Sequence, residues 1–223
     1  MCGRYFVHSL PEEVMDHFDL KNMPQFDVSF NIAPSHNAPV ITGDGDQRRC
    51  RSMRWGLLPR WAKDERFGYK TINARIETLT EKPAFKRAAR KRRALIPANG
   101  FYEWSRHGGE KLAWAITSKD DAPMAFAGLW ETWGEDAIDT FTIVTTQPNA
   151  LVSPIHDRMP VILQPRDYAT WLAGDTADAM ALGVPCQDSD LEAYTVDSRV
   201  GKPEQNDADL LAPKRQGQLE LGF

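Results

Sequence analysis

The first residues of the chain, Met1-Cys2-Gly3-Arg4, place a thiol directly after the initiator methionine. Once Met1 is removed, Cys2 carries both an α-amino group and a thiol. Their reference pKa values, about 7.7–8.0 and about 8.5, leave each partly nucleophilic near neutral pH. An amine condenses with an aldehyde to an imine, and the thiol of the same residue can close onto that imine as a five-membered thiazolidine. These residues predict an aldehyde trap, and the alternative is a cysteine placed there by chance.

A carboxylate stands inside an aromatic stretch, Gly100-Phe101-Tyr102-Glu103-Trp104. If Glu103 lies among these rings, loss of hydration raises the pKa of its carboxyl group, and a raised pKa suits a general acid. The alternative is a glutamate on the solvent face of a strand.

A dense group of ionisable residues lies in Ile155-His156-Asp157-Arg158-Met159-Pro160. His156 is suited to move protons near pH 7, and the Arg158 guanidinium is suited to hold a phosphate. The alternative is a loop held together by a structural salt bridge.

Polar and apolar residues alternate in Thr71-Ile72-Asn73-Ala74-Arg75-Ile76-Glu77. The period of two predicts a strand with Asn73, Arg75 and Glu77 on one face. Such a face is either a solvent edge or a site that hydrogen-bonds a phosphate or carbonyl oxygen.

Charge is distributed unevenly along the 223 residues, whose net charge is −4. Residues 48–106 contain 17 Lys and Arg against 5 Asp and Glu, and the remaining residues have a net charge of −16. A basic segment in an acidic chain suits a phosphate-binding surface, and the alternative is a solvated helix face. Trp55 and Trp61 lie in this segment, and an exposed tryptophan there suits stacking on a base of single-stranded DNA.

The composition is that of one globular domain, with 42% hydrophobic and 26% charged residues. We expect this domain to span residues 1–205 and a polar tail to span 206–223. The sequence has neither a signal peptide nor an apolar run of the length that crosses a bilayer. The three cysteines are far apart, which argues against disulfides and a zinc site. We therefore expect a cytoplasmic protein without a metal or other cofactor.

The predicted elements are mostly strands, especially between residues 94 and 163, with a helix after Ser9, a basic helix over 83–93 and two helices over 165–182. Together with the motifs above, the chain resembles the SOS response-associated peptidase (SRAP) family of abasic-site processing proteins over nearly its whole length. The matching motifs are Met1-Cys2-Gly3-Arg4, Asn31-Ile32-Ala33-Pro34, Trp55-Gly56 with Pro59 and Trp61, Asn73-Ala74-Arg75-Ile76-Glu77, Gly100-Phe101-Tyr102-Glu103-Trp104 and His156-Asp157-Arg158-Met159-Pro160.

The resemblance implies a single α+β domain of mainly antiparallel, curved sheets in an open-barrel-like arrangement, with peripheral helices and a DNA-binding groove. It implies that Cys2 crosslinks to the C1′ aldehyde of an abasic site in single-stranded DNA. Asn73 would hold the sugar and the N-terminus, Glu103 would be the general acid and base, and His156 would transfer protons during ring opening. The implied DNA-binding residues are Arg4, Asn31, Pro34, Trp61, Arg75, Trp104, Thr145 and Arg158. The family name also implies a peptidase-like release of Met1, and an imine at C1′ makes a DNA lyase activity plausible chemistry.

Two rival functions use the same residues. A cysteine peptidase or amidohydrolase would use Cys2, His156 and Glu103, and a passive single-stranded DNA-binding module would use only the basic segment and Trp61. The polar tail adds a further expectation, because Gln218-Leu219-Glu220-Leu221-Gly222-Phe223 resembles the peptide by which bacterial proteins dock on the replicative sliding clamp. We expect a monomer that acts at the nucleoid or replication fork.

Overall fold

The structure is a computed structural model, and it describes residues 2–43, 47–107 and 110–214, without the side chain of His107. The predicted clamp-binding peptide, residues 218–223, lies outside these ranges. Thirteen strands and four short α-helices occur in the described ranges. The strands are β1 Arg4–Val7, β2 Ser29–Ile32, β3 Asn37–Thr42, β4 Arg49–Trp55, β5 Asn73–Arg75, β6 Arg93–Ala98, β7 Gly100–His107, β8 Glu110–Ser118, β9 Met124–Trp133, β10 Ile138–Thr146, β11 Met159–Pro160, β12 Ile162–Leu163 and β13 Leu191–Val196. The helices are α1 Pro11–His17, α2 Lys86–Lys91, α3 Tyr168–Ala173 and α4 Thr176–Ala181.

The first sheet is antiparallel and has the strand order β13-β8-β7-β1-β2. β1 lies in its interior, with Arg4 opposite Tyr102 on β7 and Tyr5 opposite Ile32 on β2. Because β1 is hydrogen-bonded on both sides, the residue that precedes it, Cys2, is held beside the middle of β7.

The second sheet closes partly on itself. Its strand order is β11-β10-β4-β3-β6-β9-β12, and β9 also pairs with β10 over Gly128 to Trp133, which joins five of the strands in a ring. β10 pairs in parallel with β4 and then with β5, whose Asn73 lies opposite Ile143. The predicted α+β fold of mainly antiparallel sheets with barrel-like closure is confirmed.

Three apolar clusters hold these layers together. The first fills the space between the two sheets and contains Cys2, Tyr5, Trp55 and Phe141. The second packs the helices on the outer face of the ring, and the third covers the other face of the first sheet. Burial of apolar side chains on both faces of both sheets supplies the main driving force for this arrangement.

Three local predictions differ from the structure. Leu10, not Ser9, precedes α1, and Glu13 accepts a hydrogen bond from the Leu10 amide. Ser9 instead accepts a hydrogen bond from the Asn99 side chain. The strand predicted through Glu77 ends at Arg75, where a 3-10 helix over Ile76–Thr78 begins. α2 is also shorter than the predicted helix over 83–93, because Arg93 already belongs to β6.

Residues after 205, where we expect the domain to end, pack on the first sheet. The side chain of Asn206 accepts hydrogen bonds from Ser29 and from the Phe30 amide, and Leu210 is fully buried. The Lys214 amide donates to the Thr195 carbonyl of β13. Within the described residues, no helix is both long enough and apolar enough to cross a membrane.

Candidate functional site

Cys2 lies at the start of β1 and at one end of the cluster between the two sheets. It is fully buried, and its Sγ contacts the Arg4 carbonyl at 3.6 Å. Burial raises the pKa of the Cys2 thiol well above its usual range, and the negative charge of Glu103 raises it further. The Cys2 thiol is therefore protonated at neutral pH in this structure.

Asn73 connects the second sheet to Cys2. Its Nδ2 donates a 2.7 Å hydrogen bond to the Cys2 carbonyl oxygen. Asn73 lies opposite Ile143 of β10, and its hydrogen bond to Cys2 shows that its side chain reaches into the space between the sheets. Asn73 Oδ1 is also buried, and no hydrogen-bond donor from the described part of the chain reaches it. This oxygen is thus an acceptor available to a bound group.

Glu103 lies in the middle of β7, on the same face as Phe101. Phe101 packs in the cluster that contains Cys2, so Glu103 also points into the space between the sheets and is only 2% exposed. Loss of hydration raises the pKa of its carboxyl group to about 7. This agrees with the expectation from its aromatic neighbours, and it places the carboxyl group where it can both donate and accept a proton near neutral pH.

His156 lies in the loop before β11. Its Nε2 is 3.9 Å from Glu103 Oε2. Its Nδ1 is 3.0 Å from the backbone nitrogen of Arg158 and 3.0 Å from Asp157 Oδ1. Burial lowers the pKa of the imidazole, so the ring is mostly neutral at pH 7.

The four side chains predicted as catalytic are therefore brought together from four separate segments. Cys2 is held by Asn73, Glu103 lies on the strand beside β1, and His156 faces Glu103. The site thus combines the Cys2 thiol and the backbone nitrogen of the same residue with a carboxyl group of pKa about 7 and a neutral imidazole. These groups are suited to proton transfer during nucleophilic attack on a carbonyl carbon.

Two predicted DNA-binding residues, Arg4 and Asn31, make contacts within the protein. Arg4 donates 2.9 Å hydrogen bonds to Asn31 Oδ1 and to the carbonyls of Val200 and Gly201. Asn31 is buried, and its Nδ2 also contacts carbonyl oxygens of the segment 200–205. In this structure both side chains hold that segment against β1 and β2.

Arg158 and Thr145 form a second group at the edge of the site. The Arg158 guanidinium donates to both carboxylate oxygens of Glu77, at 2.7 and 2.9 Å, and to the Thr145 carbonyl at 2.7 Å. Thr145 itself is fully buried. Arg75 is exposed, which leaves its side chain accessible to a phosphate.

The aromatic and proline residues predicted to shape the DNA path differ in exposure. Trp61 is 54% exposed and packs edge-on against Phe67. Trp104 is half-buried, and Lys111 Nζ lies 5.1 Å from its ring centroid. Pro34 is the second residue of a turn closed by a hydrogen bond from the His36 amide to the Ala33 carbonyl, and Ser35 adopts a φ of +72° in it. Trp55, by contrast, is a core residue that donates to the Ile72 carbonyl.

Part of the positive charge between residues 48 and 106 serves the fold. The buried carboxylate of Glu131 is bonded to Arg92 and lies within 3.7 Å of Arg87 and Arg60. Arg93 is buried and donates to backbone carbonyls at the ends of α2 and α3. These arginines are placed to satisfy buried acceptors.

Two residues of the site region have contacts that the sequence does not predict. Glu77 is predicted to share a polar face with Asn73 and Arg75, but its partner is Arg158, which lies 81 residues away in the chain. Tyr5 packs with Cys2 in the same cluster, and its buried hydroxyl meets no hydrogen-bond partner among the described residues. The alternation of β1 places Tyr5 inward, but no sequence signal distinguishes it from an ordinary core aromatic. Across the described ranges, no group of His, Cys, Asp and Glu has the arrangement of a metal site.

Comparisons with known proteins identify the family of the chain. Residues 1–203 match the family described as SOS response associated peptidase (SRAP). The chain is 43% identical over 221 residues to abasic site processing protein YoaM of Bacillus subtilis, with 95% of this chain and 97% of YoaM covered. It is 33% identical over 213 residues to abasic site processing protein YMR114C of Saccharomyces cerevisiae, with 89% of this chain and 57% of that protein covered.

The fold is also similar to solved structures. A crystal structure of a protein from Bacteroides thetaiotaomicron superposes with a TM-score of 0.87 at 25% identity, covering 96% of this chain and all of that one. Another, from Bordetella bronchiseptica, superposes with a TM-score of 0.78 at 26% identity, covering 88% of this chain and all of that one. With the family matched from residue 1 to residue 203 and with YoaM similar over 97% of its length, the chain belongs to the SRAP family.

Proposed function

We propose that this protein processes abasic sites by forming a covalent thiazolidine crosslink between Cys2 and the C1′ aldehyde of an abasic site in single-stranded DNA. The observation that carries the proposal is the hydrogen bond from Asn73 to the Cys2 carbonyl, beside a carboxyl group of pKa about 7. That bond holds the backbone of Cys2 near Glu103 and His156, the two side chains suited to transfer protons. The names of the relatives, which are abasic site processing proteins, supply the substrate class.

The reaction begins once the Met1–Cys2 peptide bond has been hydrolysed. The Cys2 amine attacks C1′, the carbonyl electron pair moves to its oxygen, and Glu103 in its protonated form donates a proton to that oxygen. Glu103 then accepts a proton from the attacking nitrogen, and a second proton transfer releases water and leaves an imine. Cys2 Sγ adds to C1′, and the thiol proton passes to the nitrogen. The product is protein plus DNA minus one water.

His156 serves the opening of the sugar. An abasic deoxyribose is mostly a cyclic hemiacetal, and its ring opens when the C1′ hydroxyl loses a proton and O4′ gains one. His156 is half-buried and mostly neutral, with Nε2 toward Glu103, so it can exchange protons with the sugar and with that carboxyl group. The buried Asn73 Oδ1 provides an acceptor for a sugar hydroxyl or for the new amine.

The DNA contacts follow from the accessible residues. Exposed Trp61 stacks on a base, Arg75 contacts a phosphate, and Trp104 and Pro34 line the path. Thr145, whose side chain is buried, contributes by accepting a hydrogen bond from Arg158 at its backbone carbonyl. Arg4 and Asn31 contribute by holding the segment 200–205 at the edge of the site.

The proposal includes two further activities, release of Met1 and cleavage of the DNA strand. Release of Met1 by the chain itself would use Glu103 and His156 to activate water, in agreement with the peptidase in the family description. A DNA lyase activity would follow from the imine, which acidifies the C2′ proton and so promotes β-elimination of the 3′ phosphate. Closure of the thiazolidine by Cys2 Sγ consumes the imine and limits that cleavage.

The test is the intact mass of the protein before and after incubation with a single-stranded oligonucleotide that carries one abasic site. We expect loss of Met1 and then a species equal to protein plus DNA minus water. A control oligonucleotide with a reduced, aldehyde-free abasic site should give no such species. Absence of the adduct from protein that has lost Met1 would reject the proposal and favour the amidohydrolase or the passive DNA-binding function.

We also propose that the protein is a monomer that acts in the cytoplasm at the nucleoid or replication fork, and that Gln218 to Phe223 bind the replicative sliding clamp. The support for clamp binding is the spacing of Gln218, Leu221 and Phe223 alone. Binding of purified clamp should be lost on deletion of residues 218–223, whereas crosslinking to a short oligonucleotide should be retained. Equal clamp binding before and after the deletion would reject this part.

A further inference from the structure

We propose that Glu77 is a positioning residue for His156, and that it acts through Arg158 to set which ring nitrogen carries the proton. This inference rests on the proposed function for its effect on rate. Its structural part concerns three residues whose contacts are direct and independent of any substrate.

The first step is the immobilisation of Arg158. Two parallel hydrogen bonds of 2.7 and 2.9 Å join its guanidinium to the two carboxylate oxygens of Glu77, and a third of 2.7 Å reaches the Thr145 carbonyl. This bidentate geometry is the strongest form of a carboxylate–guanidinium contact. The hydrogen bonds from Arg158 also lower the pKa of Glu77, which therefore stays ionised throughout the neutral range.

The second step is the hydrogen bond that links the fixed Arg158 to the imidazole of His156. The backbone N–H of Arg158 lies 3.0 Å from His156 Nδ1, so it can donate only if Nδ1 carries no proton. In the neutral ring the proton then sits on Nε2, the nitrogen that faces Glu103 Oε2 at 3.9 Å. A competing contact exists, because Asp157 Oδ1 is also 3.0 Å from Nδ1 and would favour a proton there.

The third step is the choice between these two partners of Nδ1. Asp157 is mostly exposed, with 81% of its side chain accessible, and can turn to solvent, whereas Arg158 is 9% exposed and held by Glu77. As long as the Glu77–Arg158 pair is intact, the Arg158 amide keeps its place and the Nε2–H tautomer is favoured. Without the pair, a nearly buried guanidinium loses its counter-charge, the loop from 156 to 158 moves, and Asp157 takes Nδ1.

The same contacts define what Arg158 does. Three of its five N–H groups donate to Glu77 and Thr145, and the buried Nε–H meets no acceptor among the described residues. A phosphate would have to displace Glu77 to form a bidentate contact. With the Glu77 pair intact, Arg158 supports the imidazole through its backbone, and a phosphate contact by its remaining N–H groups is compatible with that role.

The experiment compares wild type with Glu77→Gln, Glu77→Asp and Glu81→Gln. Glu77→Gln removes the charge and one acceptor at nearly constant shape, Glu77→Asp keeps the charge with a shorter reach, and Glu81→Gln removes an exposed charge four residues away. Nitrogen NMR of proteins with ¹⁵N-labelled histidine reports the tautomer of His156. Single-turnover crosslinking at saturating abasic oligonucleotide reports the rate, and anisotropy with an intact single strand reports DNA affinity.

We expect the Nε2–H tautomer in wild type and in Glu81→Gln, and a substantial Nδ1–H population in Glu77→Gln. Because displacement of a catalytic group by about 1 Å can lower a rate by about 100-fold, we expect Glu77→Gln to be slower by roughly 10- to 100-fold. Its DNA affinity should be unchanged, and Glu77→Asp should recover part of the rate and of the tautomer.

Two results would overturn the inference: an unchanged His156 tautomer in Glu77→Gln, or a rate loss fully explained by weaker DNA binding. If Glu77→Gln does not fold, the same comparison is decided by Glu77→Asp, in which a wild-type tautomer together with a slowed reaction contradicts the proposal. If wild type forms no adduct, the proposed function fails, and the NMR comparison still decides whether Glu77 positions His156.

Discussion

Asn73 Nδ2 donates a 2.7 Å hydrogen bond to the carbonyl oxygen of Cys2, and so ties the second residue of the chain to the second sheet. Both groups are buried, and β5 and β1 belong to different sheets, so the bond fixes the position of Cys2 relative to the partly closed ring. Cys2, the proposed nucleophile, precedes the first residue of β1 and is held by a residue of the other sheet.

Replacing Asn73 by Ala should therefore affect both stability and chemistry. The Cys2 carbonyl would remain buried without its donor, which costs about 1–3 kcal/mol of unfolding free energy. Because Cys2 would also lose its alignment, we expect slower crosslinking at saturating DNA. Urea denaturation and single-turnover kinetics measure the two effects. Asn22→Ala is the control, because Asn22 is exposed and its side chain donates to the carbonyl of the adjacent Met23. An Asn73→Ala protein as stable and as fast as wild type would contradict the role of this bond.

Glu103 makes stability depend on pH in a defined direction. Burial raises the pKa of its carboxyl group from 4.5 to about 7, so the folded state binds a proton more tightly than the unfolded state. Stability then falls as pH rises from about 4.5 to about 7. At 1.36 kcal/mol for each pH unit of separation, the loss amounts to about 3 kcal/mol. Glu103→Gln carries no ionisable group at this position. At pH 8 its unfolding free energy should therefore exceed that of wild type by about 3 kcal/mol, and below pH 4.5 the two proteins should be almost equally stable.

The measurement is urea denaturation of both proteins at several pH values. The crosslinking rate should also depend on the ionisation of Glu103, because the protonated form of Glu103 becomes tenfold rarer with each pH unit above about 7. In Glu103→Gln the rate should be low, and the part of its pH profile set near 7 should disappear. A stability difference that does not change with pH would mean that Glu103 has an ordinary pKa in the folded protein.

How much of this site could be predicted depends on whether the contact is local. The aromatic strand predicts burial of Glu103, although Tyr102 and Trp104 lie on the opposite face and Glu103 shares its face with Phe101. The basic character of residues 48–106 is visible in composition. The pairing of Glu77 with Arg158 could not be predicted, because strand periodicity puts Glu77 on one face with Asn73. In the structure the chain instead enters a 3-10 helix at Ile76. The same limit applies to Arg60, Arg87 and Arg92, whose shared partner Glu131 lies on β9.

Trp61 is predicted to contribute to DNA affinity without contributing to the fold. Its side chain is 54% exposed and contacts Phe67 edge-on. Stacking of a base on an aromatic ring contributes about 1–3 kcal/mol, so Trp61→Ala should weaken binding of intact single-stranded DNA on the order of 10- to 100-fold. Fluorescence anisotropy measures this, with Met23→Ala as a control for loss of an exposed apolar side chain elsewhere. Unchanged affinity in Trp61→Ala would remove this ring from the DNA path, and a large loss of stability would show that it is a packing residue.

Cys2→Ala separates the two nucleophiles of residue 2. After removal of Met1 the variant keeps the α-amine but lacks the thiol, so it can form the imine at C1′ and cannot close the ring. The imine either hydrolyses or undergoes β-elimination, and we therefore expect no stable adduct, more strand cleavage than in wild type, and an adduct that survives only after reduction of the C=N bond with borohydride. Denaturing gels with and without borohydride measure all three outcomes, and Cys186→Ala, which alters a half-buried thiol distant in sequence from the site, should behave like wild type. A stable adduct of Cys2→Ala without reduction would show that the linkage does not need the thiol, and the thiazolidine would then be the wrong product.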